Sequence, residues 1–117
     1  MLNKESAALE TLRTGSEYRR VRSAGNVMRL GPMKVFRDHG SQSGLRVGIV
    51  TPRRLGKAVT RNRIKRRLKA AYQLEAYGNC VGLDIVVHPA LEVATCNFVE
   101  LRQYVRKSLT YLTSLSR

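Results

Sequence analysis

A chain of 117 residues, 43% of them hydrophobic, can close one core of ordinary extent, and no apolar run approaches the ~18 to 20 residues that a membrane-spanning helix needs. Lysine and arginine number 22 against 8 acids, a net charge of +14, and an excess of that size calls for a polyanionic partner, nucleic acid first. The opening Met1-Leu2-Asn3-Lys4-Glu5 has no signal core, and two cysteines, Cys80 and Cys96, are too few for a disulfide framework or a four-ligand zinc site; the expectations are a cytoplasmic protein with no membrane partner, no small-molecule substrate and no metal ligands of its own.

In chain order, residues 1–14 and the last few are the candidate flexible segments of a single domain spanning 1–117. Ser16 as a cap, Glu17 in the first turn and Gly25 as a stop predict a short helix whose apolar stripe is Tyr18 and Val21. Asn26 to Leu30 and Met33 to Phe36 read as strands flanking Gly31-Pro32, and the cluster from His39 to Gly44 has turn composition. Leu45 to Thr51 alternates as a half-buried strand does and stops at Pro52; the loop from Pro52 to Gly56 carries Arg53 and Arg54. A long helix is expected from about Ala58 to Tyr77, ended by Gly78-Asn79, and Leu83 to Val87 is a buried strand stopped by Pro89. Thr95 is the expected cap of a last helix with Phe98, Leu101, Val105, Leu109 and Leu112 on its core face. The order α-β-β-β-α-β-α describes an α+β fold, helices packed on one sheet of about four strands.

Between Asp38 and Glu75 the sequence has no acid, while ten lysines and arginines from Arg46 to Lys69 fall in that interval. At about 100° per residue, Ile64, Leu68, Ala71 and Tyr72 fall on one arc of the long helix, and Arg63, Lys65, Arg66, Arg67 and Lys69 take the remainder. Like charges three and four positions apart repel by a few tenths of a kcal/mol per pair, so the apolar stripe must hold the helix in place. Arginine offers paired hydrogen bonds to phosphate, lysine a point charge, and Asn62 an amide for a base edge or backbone. If ~6 phosphates are neutralised, binding falls with salt at a logarithmic slope of about −4 to −5.

The run Gly56-Lys57-Ala58-Val59-Thr60-Arg61-Asn62-Arg63-Ile64-Lys65-Arg66-Arg67-Leu68-Lys69 closely resembles the RNR signature of the bacterial ribonuclease P protein family. The Ser-Glu-Tyr first helix, the strand before the basic loop, the Leu83 to Val87 strand and the terminal helix extend the resemblance over most of the chain. It implies an RNA-binding subunit that helps a catalytic RNA, the ribonuclease P RNA, remove the 5′ leader from precursor tRNA by phosphodiester hydrolysis. Magnesium then acts through the RNA subunit, and no residue of the protein is catalytic. By the same resemblance Arg61, Asn62, Arg63, Lys65, Arg66, Arg67 and Lys69 face the RNA subunit, with Arg53, Arg54 and Lys57 as neighbours. Tyr18 and Phe36 match the aromatic places of a leader-binding cleft, where stacking is worth ~1 to 3 kcal/mol per base and tolerates any sequence. Arg22 stands where the family often has a second aromatic or apolar residue, so phosphate pairing replaces stacking there. The family fold also implies a left-handed β-α-β crossover through the basic helix, against the general right-handed rule.

Three other functions compete. A self-sufficient nuclease needs grouped acids or a general base, yet Asp38, Glu75, Asp84, Glu92 and Glu100 show no paired spacing, and His39 and His88 look isolated. A structural ribosomal-RNA binder without catalytic association shares the size and charge and is the alternative. A helix-turn-helix DNA reader lacks the short helix that should precede the basic one.

Overall fold

The computed structural model describes residues 9–24, 26–40, 44–75 and 82–115. Its elements are β1 (Leu9–Thr11), α1 (Gly15–Ser23), β2 (Asn26–Leu30), β3 (Met33–His39), β4 (Leu45–Ile49), α2 (Ala58–Glu75), β5 (Leu83–Pro89) and α3 (Phe98–Leu115), with short 3-10 turns at Arg53–Leu55 and Leu91–Ala94. The expected α-β-β-β-α-β-α order is therefore present, preceded by one further strand. Gly25, residues 41–43 of the expected turn, the Gly78-Asn79 stop, Cys80 and the side chain of Leu112 lie outside the described residues.

The sheet has five strands in the order β1-β4-β5-β3-β2. β2 and β3 form an antiparallel hairpin closed by Gly31-Pro32, with Leu30 opposite Met33. Gly31 sits at φ +52°, and a side chain there would also strike the ring of Tyr104. β4 and β5 run parallel as neighbours, joined through α2, and β5 pairs antiparallel with β3. The sheet count differs from the expected four because β1, three residues long, pairs in parallel with the β4 edge. Three residues, Leu-Glu-Thr, are too few to show an alternation. The anchoring signal is the next residue, Leu12, which is buried and donates its amide to the Val47 carbonyl at 3.3 Å.

Alternation along the strands divides the core in two. Val35, Leu45, Val47, Ile85 and Val87 point to one face and meet Ile64, Leu68, Ala71 and Tyr72 of α2 and Leu101, Val105 and Leu109 of α3. On the other face Val86 meets Leu12 and Val21, with Tyr18, Phe36 and Val50 packed against them. The sheet thus carries two helices on one side and the short α1 on the other. Where α2 crosses α3, the Tyr72 hydroxyl lies 3.1 Å from Ser108 Oγ, which donates to the Val105 carbonyl at 2.7 Å, so the buried polar atoms are satisfied.

Both helix caps differ from the expected residues. Thr14, not Ser16, caps α1: its hydroxyl accepts from the Glu17 amide at 3.2 Å, while Glu17 Oε1 accepts from the amides of Arg13 and Thr14 at 2.9 and 3.2 Å. The pair Thr14–Glu17 is a reciprocal capping box, in which the acid must stand at the third helical position; Ser16 stands too close to Glu17 to form one. For α3 the cap is Asn97, not Thr95, its Oδ1 accepting from the amides of Val99 and Glu100. Among the described residues no helix is long and apolar enough to cross a membrane.

Candidate nucleic-acid interface

The apolar arc of α2 is buried as its periodicity predicts, Ile64, Leu68, Ala71 and Tyr72 all at 0% exposure. That anchoring turns the opposite face outward. Asn62, Arg63, Lys65, Arg66 and Lys69 are exposed, as are Arg53, Arg54 and Lys57 just before the helix. Arg61 is half-buried and donates Nε to the Gly56 carbonyl at 3.1 Å, so it braces the loop from which α2 starts. Gly56 itself sits at φ +124°, a conformation other residues rarely adopt.

Arg67 departs from its neighbours. It is half-buried, donates Nη2 to the Cys96 carbonyl, and lies 5.6 Å from the centroid of the Phe98 ring. Through Nη2 its guanidinium ties α2 to the start of α3, a packing contact that the family resemblance, which turned Arg67 toward RNA, did not include. The physical reason is its position on the helix, one residue before Leu68 and beside the buried arc.

Among the described residues none of Arg53, Arg54, Lys57, Arg61, Arg63, Lys65, Arg66 and Lys69 has a carboxylate within ion-pair distance; the ion pairs described there belong to Arg20, Arg46, Arg102 and Arg106. The acids are drawn elsewhere. Asp84, at 0% exposure, takes both arms of Arg46, Nε at 3.0 Å and Nη2 at 2.8 Å, and also pairs with Arg20. Arg20 reaches on to Asp38, and Arg46 Nη1 to Glu17 Oε2 at 2.9 Å. The two capping amides, then Arg46, hold the Glu17 carboxyl at a pKa of about 2. Glu75 closes α2 by accepting from Arg106 Nε at 2.9 Å and Arg102 Nε at 2.7 Å, and Arg106 first, then Arg102, keeps its carboxyl below the usual range. Arg46, one of the cations of the acid-free interval, is thus an internal strut and not part of the interface.

The second feature is the groove between α1 and the sheet. Tyr18 lies across Gly48 of β4, where a Cβ would meet its ring at 2.5 Å, and Phe36 stands half-buried on β3 against the same small cluster. Tyr18 and Phe36 therefore do contribute to packing, yet both keep part of their surface open. Burial, then Glu17, raises the Tyr18 pKa, so the phenol stays protonated. Tyr18 also lines a cavity of about 260 Å³ shared with Thr11, Lys65 and Lys69, which places the groove next to the basic face of α2. Arg22, one turn along from Tyr18, is exposed.

Sequence reasoning treated His88 as isolated. Its ring in fact lies 5.0 Å from that of Phe36 at 57°, and Lys34 Nζ is 5.5 Å from the Phe36 centroid. The available signal was the period of two: Asp84, Val86 and His88 share the face of β5 that looks toward α1.

A family model for ribonuclease P matches residues 7–113. The ribonuclease P protein component of Roseiflexus sp. (strain RS-1) is 40% identical over 101 residues, 84% of this chain and 81% of that one. Among solved structures, the RNase P protein from Thermotoga maritima superposes with a TM-score of 0.76 at 25% identity, over 87% of this chain and 96% of that one. The Staphylococcus aureus RNase P protein has a TM-score of 0.69 at 18% identity, over 92% and 94%, and shares the fold. A matched fold, a helix with one uncompensated cationic face, and a family match over nearly the whole length lead to one assignment: the chain belongs to the bacterial ribonuclease P protein component family.

Proposed function

We propose that the exposed face of α2, through Arg61, Asn62, Arg63, Lys65, Arg66 and Lys69 with Arg53, Arg54 and Lys57 beside it, docks on the ribonuclease P RNA, and that the groove under α1 holds the single-stranded 5′ leader of precursor tRNA. As a ribonuclease P protein component the chain is a subunit of an endoribonuclease ribonucleoprotein, and the ribosomal-RNA alternative is not favoured. The observation that carries the docking surface is the contrast in pairing: Arg46 of the sheet and Arg102 and Arg106 of α3 have carboxylate partners, and the arginines of the α2 face have none among the described residues. A folded RNA supplies the missing negative charge.

The protein's part is binding, not bond cleavage. Tyr18 and Phe36 offer stacking surfaces for leader bases, Arg22 a phosphate contact, and the scissile bond lies with the RNA. Asp84, Asp38, Glu17 and Glu75 do not suit a divalent cation, because each carboxylate is already engaged by guanidinium groups. In this proposal magnesium is therefore held by phosphates of the RNA subunit.

The test is reconstitution with ribonuclease P RNA at low magnesium, using substrates with and without a leader. The protein is expected to strengthen binding of the leader-bearing precursor and to speed its cleavage. Tyr18→Ala should weaken precursor binding by about 1–3 kcal/mol and leave mature tRNA binding nearly unchanged. Equal loss for both ligands would remove the leader from the groove.

A further inference from the structure

On the far side of Phe36, in ring contact with it, stands His88 at the centre of a second cluster of cations. His88 lies on β5 directly opposite Lys34 of β3, with its ring against Phe36. Its Nε2 is buried and has no hydrogen-bond partner. Lys34, Arg54 and, from β2, Arg29 line the adjoining groove of about 460 Å³ together with His88. The charge of Arg22 on α1, outside that groove, also bears on the imidazole. Among the described residues no carboxylate pairs with Arg22, Arg29, Lys34 or Arg54. Three elements of the fold and the Arg53–Leu55 turn thus bring cations around one imidazole with an unused nitrogen.

We propose that Lys34, Arg54 and His88, with Arg29 beside them, form a phosphate-binding site at this end of the groove, and that His88 takes up one proton from solvent when an RNA phosphate diester is seated there. Burial first, then the charges of Arg22, Lys34 and Arg54, hold the His88 pKa below its ordinary value in the free protein, so the ring is neutral at neutral pH. A phosphate diester carries one negative charge throughout this range. Seated among these side chains it offsets their repulsion and thereby favours the imidazolium. Affinity then falls as pH rises through the His88 pKa of the bound state, by up to about tenfold per pH unit for a single linked proton. The proposal rests on the groove reading in placing this phosphate next to the bases on Phe36; the site itself follows from the cluster. The phosphate belongs either to the leader or to the RNA subunit, and the experiment separates these.

Two histidines, His39 and His88, make the titration direct. The imidazole resonances of the full chain are followed by NMR against pH alone, with a single-stranded hexaribonucleotide, and with sulfate. The His88 midpoint is expected to rise by about one pH unit with the oligonucleotide while the exposed His39 stays in place. In Lys34→Gln/Arg54→Gln the free midpoint should start higher and the ligand-induced rise should shrink. In the reconstituted holoenzyme, precursor affinity should weaken with rising pH, and His88→Gln should flatten that dependence. A slope confined to leader-bearing substrate assigns the phosphate to the leader; a slope in assembly with the RNA subunit, also flattened by His88→Gln, assigns it to that RNA. An unmoved His88 midpoint with oligonucleotide and sulfate alike, or a His39 shift of equal size, overturns the proposal. If Phe36→Ala leaves oligonucleotide affinity unchanged while His88 still responds, the groove reading fails and the phosphate site stands.

Discussion

Arginine does opposite work on the two sides of this molecule. Around Asp84 it is structural: Arg46 and Arg20 converge on a carboxylate with no solvent exposure, and Glu17 and Asp38 complete the set. On α2, Arg63 and Arg66 have the same chemistry and, among the described residues, no acid to meet. Whether an arginine builds the fold or awaits a ligand is decided by whether the chain itself supplies the counter-charge. Net charge alone conceals that division.

The comparison breaks most visibly at its buried end. Asp84→Asn removes the buried charge that Arg46 and Arg20 share, leaving Arg46 with Glu17 and Arg20 with Asp38 alone, and should lower stability by about 3–5 kcal/mol, read by urea or thermal unfolding. On the other side, Arg63→Ala with Arg66→Ala should leave stability within about 0.5 kcal/mol. It should weaken assembly with the RNA subunit about tenfold or more and reduce the logarithmic salt slope by about 2. Loss of stability without loss of affinity would reverse the roles assigned to the two regions. Arg67→Ala sharpens the division, because it sits on α2 but acts internally: about 1 kcal/mol of stability should go while the salt slope holds. The smallest effect is in acid. Glu17, near 4.5 when unfolded and about 2 when folded, contributes stability that is present above about pH 4.5 and is lost as pH falls through about 2. Glu17→Gln should flatten that part of the pH–stability curve.

These regions were unequally legible in the sequence. The α2 face could be drawn in advance because Ile64, Leu68, Ala71 and Tyr72 repeat at helical spacing and the acid-free interval is contiguous. The Asp84 network could not, since Asp84 sits in an apolar strand run and its partners lie 38 and 64 positions away. Only the parallel β4–β5 register, which sets Arg46 opposite Asp84, brings them together. The caps failed for a smaller reason: several residues near each helix start could have served, and the choice of Thr14 and Asn97 depends on where the first helical turn begins. Phe36 and Tyr18 were found by resemblance, whereas His88 needed the hairpin and β5 side by side before its ring had a neighbour.

Gly48 carries one last lesson. The floor of the groove is a single hydrogen where any other residue would put a carbon, and Tyr18 rests at the height that this permits. In the proposed reading of the groove, clearance for a passing strand is therefore fixed from below. Raising the floor by one methyl, with every aromatic left untouched, would lift the phenol and narrow the passage, so its gauge is written in a residue that offers a ligand nothing to hold.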